Sequence, residues 1–215
     1  MALHDPTHLY EGTIEGGPRR IAEAVSKWLQ PNIVGVPAFL LLNTALLPDW
    51  TAYAIASFIS ILFILVVPGA IISYYSRKTG NRDGDVVRRE DRIRPLAMGI
   101  AAYATGCVCM WAAGAPDVSL VLMECYFVVT IAMTAVTLRW KASLHMCGLV
   151  GPTLSLCWAF WPWGLAMLLL FPLTAWSRYV LRKHTPAQLV GGTVIGAVLV
   201  LAMFRLLLRR RPASP

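Results

Sequence analysis

The sequence predicts an all-α integral membrane protein, a bundle of six to seven transmembrane helices preceded by an N-terminal interfacial amphipathic helix. Three observations carry this expectation. Of the 215 residues, 57% are hydrophobic and only 14% are charged, with a mean hydropathy of +0.62. The apolar residues fall in runs close to the length that crosses a hydrocarbon core, about 20 residues each. Turn residues separate these runs, and proline stands in several of the breaks. Spans of this length use up the chain, so a single domain is expected, with no soluble module. The net charge of +8 needs no nucleic acid to explain it.

Residues 1–17 are polar, with neither a basic start nor an apolar core, so this segment is expected to remain attached rather than act as a secretory signal. Within 18–31, Ile21, Val25, Trp28 and Leu29 recur at helical spacing, with Arg19, Arg20 and Lys27 between them. That pattern predicts a helix lying in the headgroup layer. The transmembrane domain is placed at 32–208, with spans near 32–48, 52–75, 95–113, 118–138, 145–160, 163–181 and 186–208; six spans is the alternative. Its breaks include Leu47-Pro48-Asp49-Trp50, Gly114-Ala115-Pro116-Asp117 and Trp161-Pro162-Trp163-Gly164, and the tryptophans suit an interfacial belt. Residues 209–215 form a basic tail.

Polar residues at membrane depth are costly and mark function. Three such groups occur, and the parity of the map puts them on one side of the membrane. The first is the loop from Asn81 to Pro95, which packs five arginines and four carboxylates ahead of a helix. It reads either as a solvated, positive-inside loop or as part of an anion site. The second is Lys141-Ala142-Ser143-Leu144-His145, and the third Ser177-Arg178 followed by His184. The fifth and sixth spans are short, about 24 Å of helix against a core of about 30 Å. Their motif-bearing ends are therefore expected to sit recessed in a polar cavity. Guanidinium forks there match phosphate oxygens.

Together these segments resemble the type 2 phosphatidic acid phosphatase superfamily of integral-membrane lipid phosphatases, whose signature is a Lys/Arg-Pro segment, a Ser-x-His segment and a Ser-Arg-x5-His segment in that order. Arg94-Pro95, Ser143-Leu144-His145 and Ser177-Arg178…His184 match the three parts. The continuation from His184 through Gln188 to Gly192 looks like the branch acting on polyprenyl phosphates or diphosphates, and Lys141 to His145 resembles a bacterial and archaeal variant. The chain departs from the pattern at three places. Val87 falls where the family has a lysine, so Arg88, Arg89 or Lys141 would replace it. Gln188 stands in place of an aspartate, and Leu144 in place of a glycine.

The resemblance implies a metal-free, cofactor-free mechanism. His184 would attack phosphorus, oriented by Gln188; His145 would protonate the leaving oxygen and later activate water. Arg94 and Arg178 would hold the phosphate, helped by Ser143, Lys141, Arg88 and Ser177, although Ser177 could equally pack against a neighbouring helix. The expected function is hydrolysis of a polyprenyl or other lipid phosphate, with the bilayer and the lipid substrate as partners. Two other classes fit parts of the pattern. One is a non-catalytic lipid-phosphate binder or transporter; the other is an intramembrane prenyltransferase, for which Asp83, Asp85 and Asp91 make a poor Asp-rich motif.

Other polar and small residues read as structural. Cys107, Cys109, Cys125, Cys147 and Cys157 all lie in apolar spans, where cysteine behaves as a small hydrophobe. Glu124 is either functional or paired within the bundle. Gly192 and Gly196 predict close helix packing. Arg19, Arg20, Lys27, Arg77, Lys78, Arg82, Arg182 and Lys183 on the motif side outnumber Arg205, Arg209, Arg210 and Arg211 on the other. By the positive-inside rule the site is expected to face the cytoplasm, in a prokaryotic plasma membrane.

Overall fold

The computed structural model describes residues 16–47, 49–78 and 90–208. The expectations for residues 1–15, for Arg88 and the rest of 79–89, and for the tail from 209 lie outside the described residues. Among the described residues every regular element is helical.

Helix α1 runs over Gly17–Trp28, with Pro18 in its first turn, where a missing N–H costs nothing. Pro31 then restricts Gln30 to extended backbone (φ −64°, ψ 139°), which ends the helix. Helix α2, Pro31–Leu46, leaves this corner at 48° to α1. Asp49 starts α3 (Trp50–Ile61) by accepting the amide of Ala52 at 2.8 Å. One widened π turn, Leu62–Val66, joins α3 to α4, Val67–Lys78. It immediately precedes Pro68, whose ring would otherwise collide with the carbonyl one turn back.

Helices α5 (Ile93–Ala112) and α6 (Asp117–Thr137) form a hairpin closed at Gly114. Gly114 adopts the left-handed conformation (φ 63°), and Ala115 N–H reaches back 3.0 Å to the carbonyl of Met110. Helix α7 is Leu144–Ala159; a 3₁₀ segment, Trp163–Leu169, runs into α8, Leu170–Val180. The steeper rise of the 3₁₀ stretch lengthens this rod to about 30 Å, against about 24 Å for α7. Helix α9, Pro186–Leu207, opens with a full capping box between Thr185 and Gln188.

Each apolar run marked in the sequence is thus helical, with bounds within a few residues of those expected. Four of these rods, Trp50–Lys78, Ile93–Ala112, Asp117–Thr137 and Pro186–Leu207, are long and apolar enough to cross a membrane, and the α1–α2 pair, bent by 48°, makes five if it counts as one span. Helix α6 is the hub: 56% of its most apolar window is buried inside the bundle, against 22–33% for the other three. It packs on α2, α5, α7 and α9. Outward-facing Phe58, Val108, Val190 and Val198 leave apolar surface that lipid would cover. Deep inside, Asn43 ties three helices together: its Oδ1 accepts Ser119 Oγ at 2.7 Å and its amide donates to Ser57 Oγ at 3.3 Å. In a lipid-surrounded bundle such bonds fix which helices pair.

Candidate functional site

A cavity of about 150 Å³ opens at the end of the bundle where α5 and α7 begin and α8 ends. Arg92, His145, Arg178 and His184 line its polar part. Below them the wall is apolar, made by Pro68 and Ile72 of α4, Leu96 and Gly99 of α5 and Val129 of α6. Tyr103 and Tyr126 stand together as its floor, ring centroids 5.6 Å apart, and Tyr126 donates to the carbonyl of Pro31 at 2.9 Å. Described residues from all three motif regions, Arg92, His145, Arg178 and His184, thus line one cavity. Among the described lining residues, Arg92 and Arg178 carry the fixed charge.

His184 sits in the turn between α8 and α9 and is buried. Its Nδ1 lies 3.2 Å from Gln188 Oε1, which also accepts the backbone N–H of Thr185 at 3.2 Å. The amide donor of Thr185 fixes which end of Gln188 faces inward. An oxygen facing Nδ1 makes that nitrogen the protonated one, leaving the lone pair on Nε2. Gln188 lies where it can fix the tautomer, although without a charge to offset an imidazolium.

His145, in the first turn of α7, is placed against α9 by backbone. Ser143 donates its amide to the carbonyl of Gln188 at 3.0 Å, while its hydroxyl accepts Met146 N–H and starts α7. A Cβ on Gly192 would run into the carbonyl of Ser143, and one on Gly196 would lie 2.7 Å from that of Cys147. The close packing expected of these two glycines is thus present. Gly148 likewise admits Pro31, which would meet a Cβ there at 2.5 Å.

The other sequence-predicted residues divide. Arg178, 2% exposed, lines the cavity and donates from Nη1 to Ser26 Oγ at 2.8 Å. Ser177 is buried but spends its hydroxyl on the carbonyl of Thr174 at 2.9 Å. Ser143 serves as a helix cap, and Lys141 is buried in the connection ahead of α7; neither lines the cavity.

Arg94 is exposed and away from the cavity, and Arg92 takes the place expected for it. The reason is helical geometry. At about 100° per residue, positions 92, 95, 96, 99 and 103 fall on one face, and position 94 points to the opposite one. The apolar spacing of Pro95, Leu96, Gly99 and Tyr103 carried that signal; the Arg-Pro motif drew attention to Arg94, which lies outside the cavity. Ser26, Tyr103 and Tyr126 were not anticipated either.

No protein-family model, curated protein or solved structure matches this chain. Its chemistry has to be read from the site.

Proposed function

We propose that this protein is an integral-membrane lipid phosphate phosphatase that hydrolyses a polyprenyl or other lipid phosphate or diphosphate through a phosphohistidine. One observation carries the reading: a buried histidine whose Nδ1 lies 3.2 Å from Gln188 Oε1 shares a cavity with a second histidine and two arginines. Nε2 of His184 attacks phosphorus as the bond to the lipid oxygen breaks, and His145 gives that oxygen its proton. Water then attacks the phosphohistidine, His145 takes the water's proton, and the P–N electron pair returns to His184. The products are phosphate and a lipid alcohol, or a lipid monophosphate where the substrate is a diphosphate. Arg92 and Arg178 neutralise charge on the non-bridging oxygens. The apolar slot toward Tyr103 and Tyr126 takes the first part of the tail.

In this reading the short rods α2, α7 and α8 also cross the bilayer, giving six to seven spans around a site that faces the cytoplasm. The amide at Gln188 is the one feature favouring a non-catalytic lipid-phosphate binder, since it cannot stabilise an imidazolium as a carboxylate would.

The deciding experiment incubates purified protein in detergent, with chelator present, with a panel of lipid phosphates and diphosphates. Release of inorganic phosphate is expected; none from any substrate would leave the binding protein as the better account. Within this assay Arg92→Gln is expected to cost on the order of tenfold or more in kcat/KM, and Arg94→Gln less than about threefold, because only the former loses a charge-assisted contact. Equal losses would return the role to Arg94. An impermeant reagent that labels a cysteine introduced between Arg82 and Arg92 in intact cells would contradict the cytoplasmic orientation.

A further inference from the structure

Two glycines stand among the described residues that line the cavity, Gly99 on α5 and Gly148 on α7. At Gly148 the missing side chain is accounted for, because Pro31 fills its place. Gly99 is different. It is buried in the interior of a helix, where glycine is less favourable than alanine. Yet a Cβ built on it would meet nothing closer than Tyr103 Cε2 at 3.9 Å and Thr130 Cγ2 at 4.0 Å. Gly35, Gly106 and Gly196, also buried, leave no such room: the same atom would come closer than 3.0 Å to a neighbour. Packing therefore does not require a glycine at position 99. The space it leaves faces Tyr103 and Thr130, both of which line the cavity.

The walls decide what that space can hold. Leu96, Val129 and the ring of Tyr103 make it apolar. The two hydroxyls beside it are engaged within the protein: Thr130 donates to the carbonyl of Tyr126 at 2.6 Å, and Tyr103 donates to Asn32 Oδ1 at 3.5 Å. An ester carbonyl brought to this depth would find no donor among these described wall residues, whereas a hydrocarbon needs none. The volume agrees, since about 150 Å³ is the size of an apolar cavity that takes one benzene ring. One narrow chain fits; a glycerol carrying two acyl chains does not.

We propose that Gly99 is a specificity-determining residue of the site: the space beside it receives the hydrocarbon segment next to the phosphate, which selects single-chain prenyl or alkyl phosphates over diacylglycerol phosphates. The inference rests on the reading of the cavity as a lipid phosphate site, but not on turnover.

The test measures binding of three anions to the full-length protein in detergent: inorganic phosphate, farnesyl phosphonate and the phosphonate analogue of a diacylglycerol phosphate, whose P–C bonds resist hydrolysis. The parent is expected to bind the farnesyl compound on the order of tenfold more tightly than the diacyl compound, the scale of one carbonyl buried without a donor. Gly99→Leu should weaken the farnesyl compound about tenfold or more and leave inorganic phosphate within about threefold, because its side chain occupies the apolar space and not the polar end. Gly99→Ala, whose methyl has room, should melt no lower than the parent and weaken the farnesyl compound about threefold, so the test stands even where Gly99→Leu fails to fold. Farnesyl affinity unchanged in the folded variants, an equal loss for inorganic phosphate, or a diacyl compound bound as tightly as the farnesyl one overturns the proposal, as does a parent that binds no farnesyl phosphonate. A parent that binds and discriminates as expected but releases no phosphate from any lipid phosphate defeats the phosphatase reading alone.

Discussion

His184→Ala is expected to reduce phosphate release by a factor on the order of 10³ or more, with phosphate affinity held within a few-fold. The size follows from the role: removing an attacking atom removes the covalent step, whereas Arg92 and Arg178 still bind the anion. Rapid acid-free quenching with radiolabelled substrate should trap a phosphohistidine in the parent and none in the variant. His145→Ala gives the complementary signature. With a poor alkoxide leaving group it should be slow, and with an activated aryl phosphate the first step should recover while the phosphohistidine persists, since the water then lacks its base. A His184→Ala protein that keeps a tenth of parental activity would move the nucleophile elsewhere.

The second large effect is expected at a residue that touches no substrate. Gly192→Ala places a methyl against the backbone carbonyl of Ser143, and Ser143 is held in turn by Gln188 and by its cap on α7. A flexible side chain could move aside; a backbone that starts a helix cannot do so cheaply. Overpacking of this kind costs about 1–3 kcal/mol, and the rigidity of the obstacle argues for the upper end. Activity should fall further than stability predicts, by about 10²-fold, because a shift near 1 Å at this contact moves His145 relative to His184. Gly69→Ala on α4 is the control: nothing lies within 4 Å of its would-be Cβ, so it should be neutral or slightly stabilising. Thermal melts and kcat/KM on the same preparations separate the two effects. A Gly192→Ala variant matching the parent in both would show that the α7–α9 contact tolerates adjustment.

Much of the helical layout was legible because the chain punctuates itself. Pro31, Asp49, Gly114 and Pro186 each act through local backbone geometry or a local cap, so their effect can be read without knowing the fold. The Gln188–His184 pair was legible for the same reason, being one helical turn apart. What escaped is tertiary. Ser26 meets Arg178 only because α1 folds back onto α8, and nothing in the local sequence announces that contact. Arg92 was missed differently: the helical spacing of the residues after it was available, yet a two-residue motif outweighed a periodicity spread over twelve positions.

The side-chain oxygen of Gln188, Oε1, closes the first turn of α9 and also faces the imidazole of His184. A helix end is the part of a fold that opens most readily, long before global unfolding. Here, opening that single turn removes the contact at Nδ1 of His184. Warming should therefore silence the protein at temperatures where circular dichroism still reports an intact bundle, and reversibly so: inactivation would track the fraying of four residues rather than the melting of the whole chain.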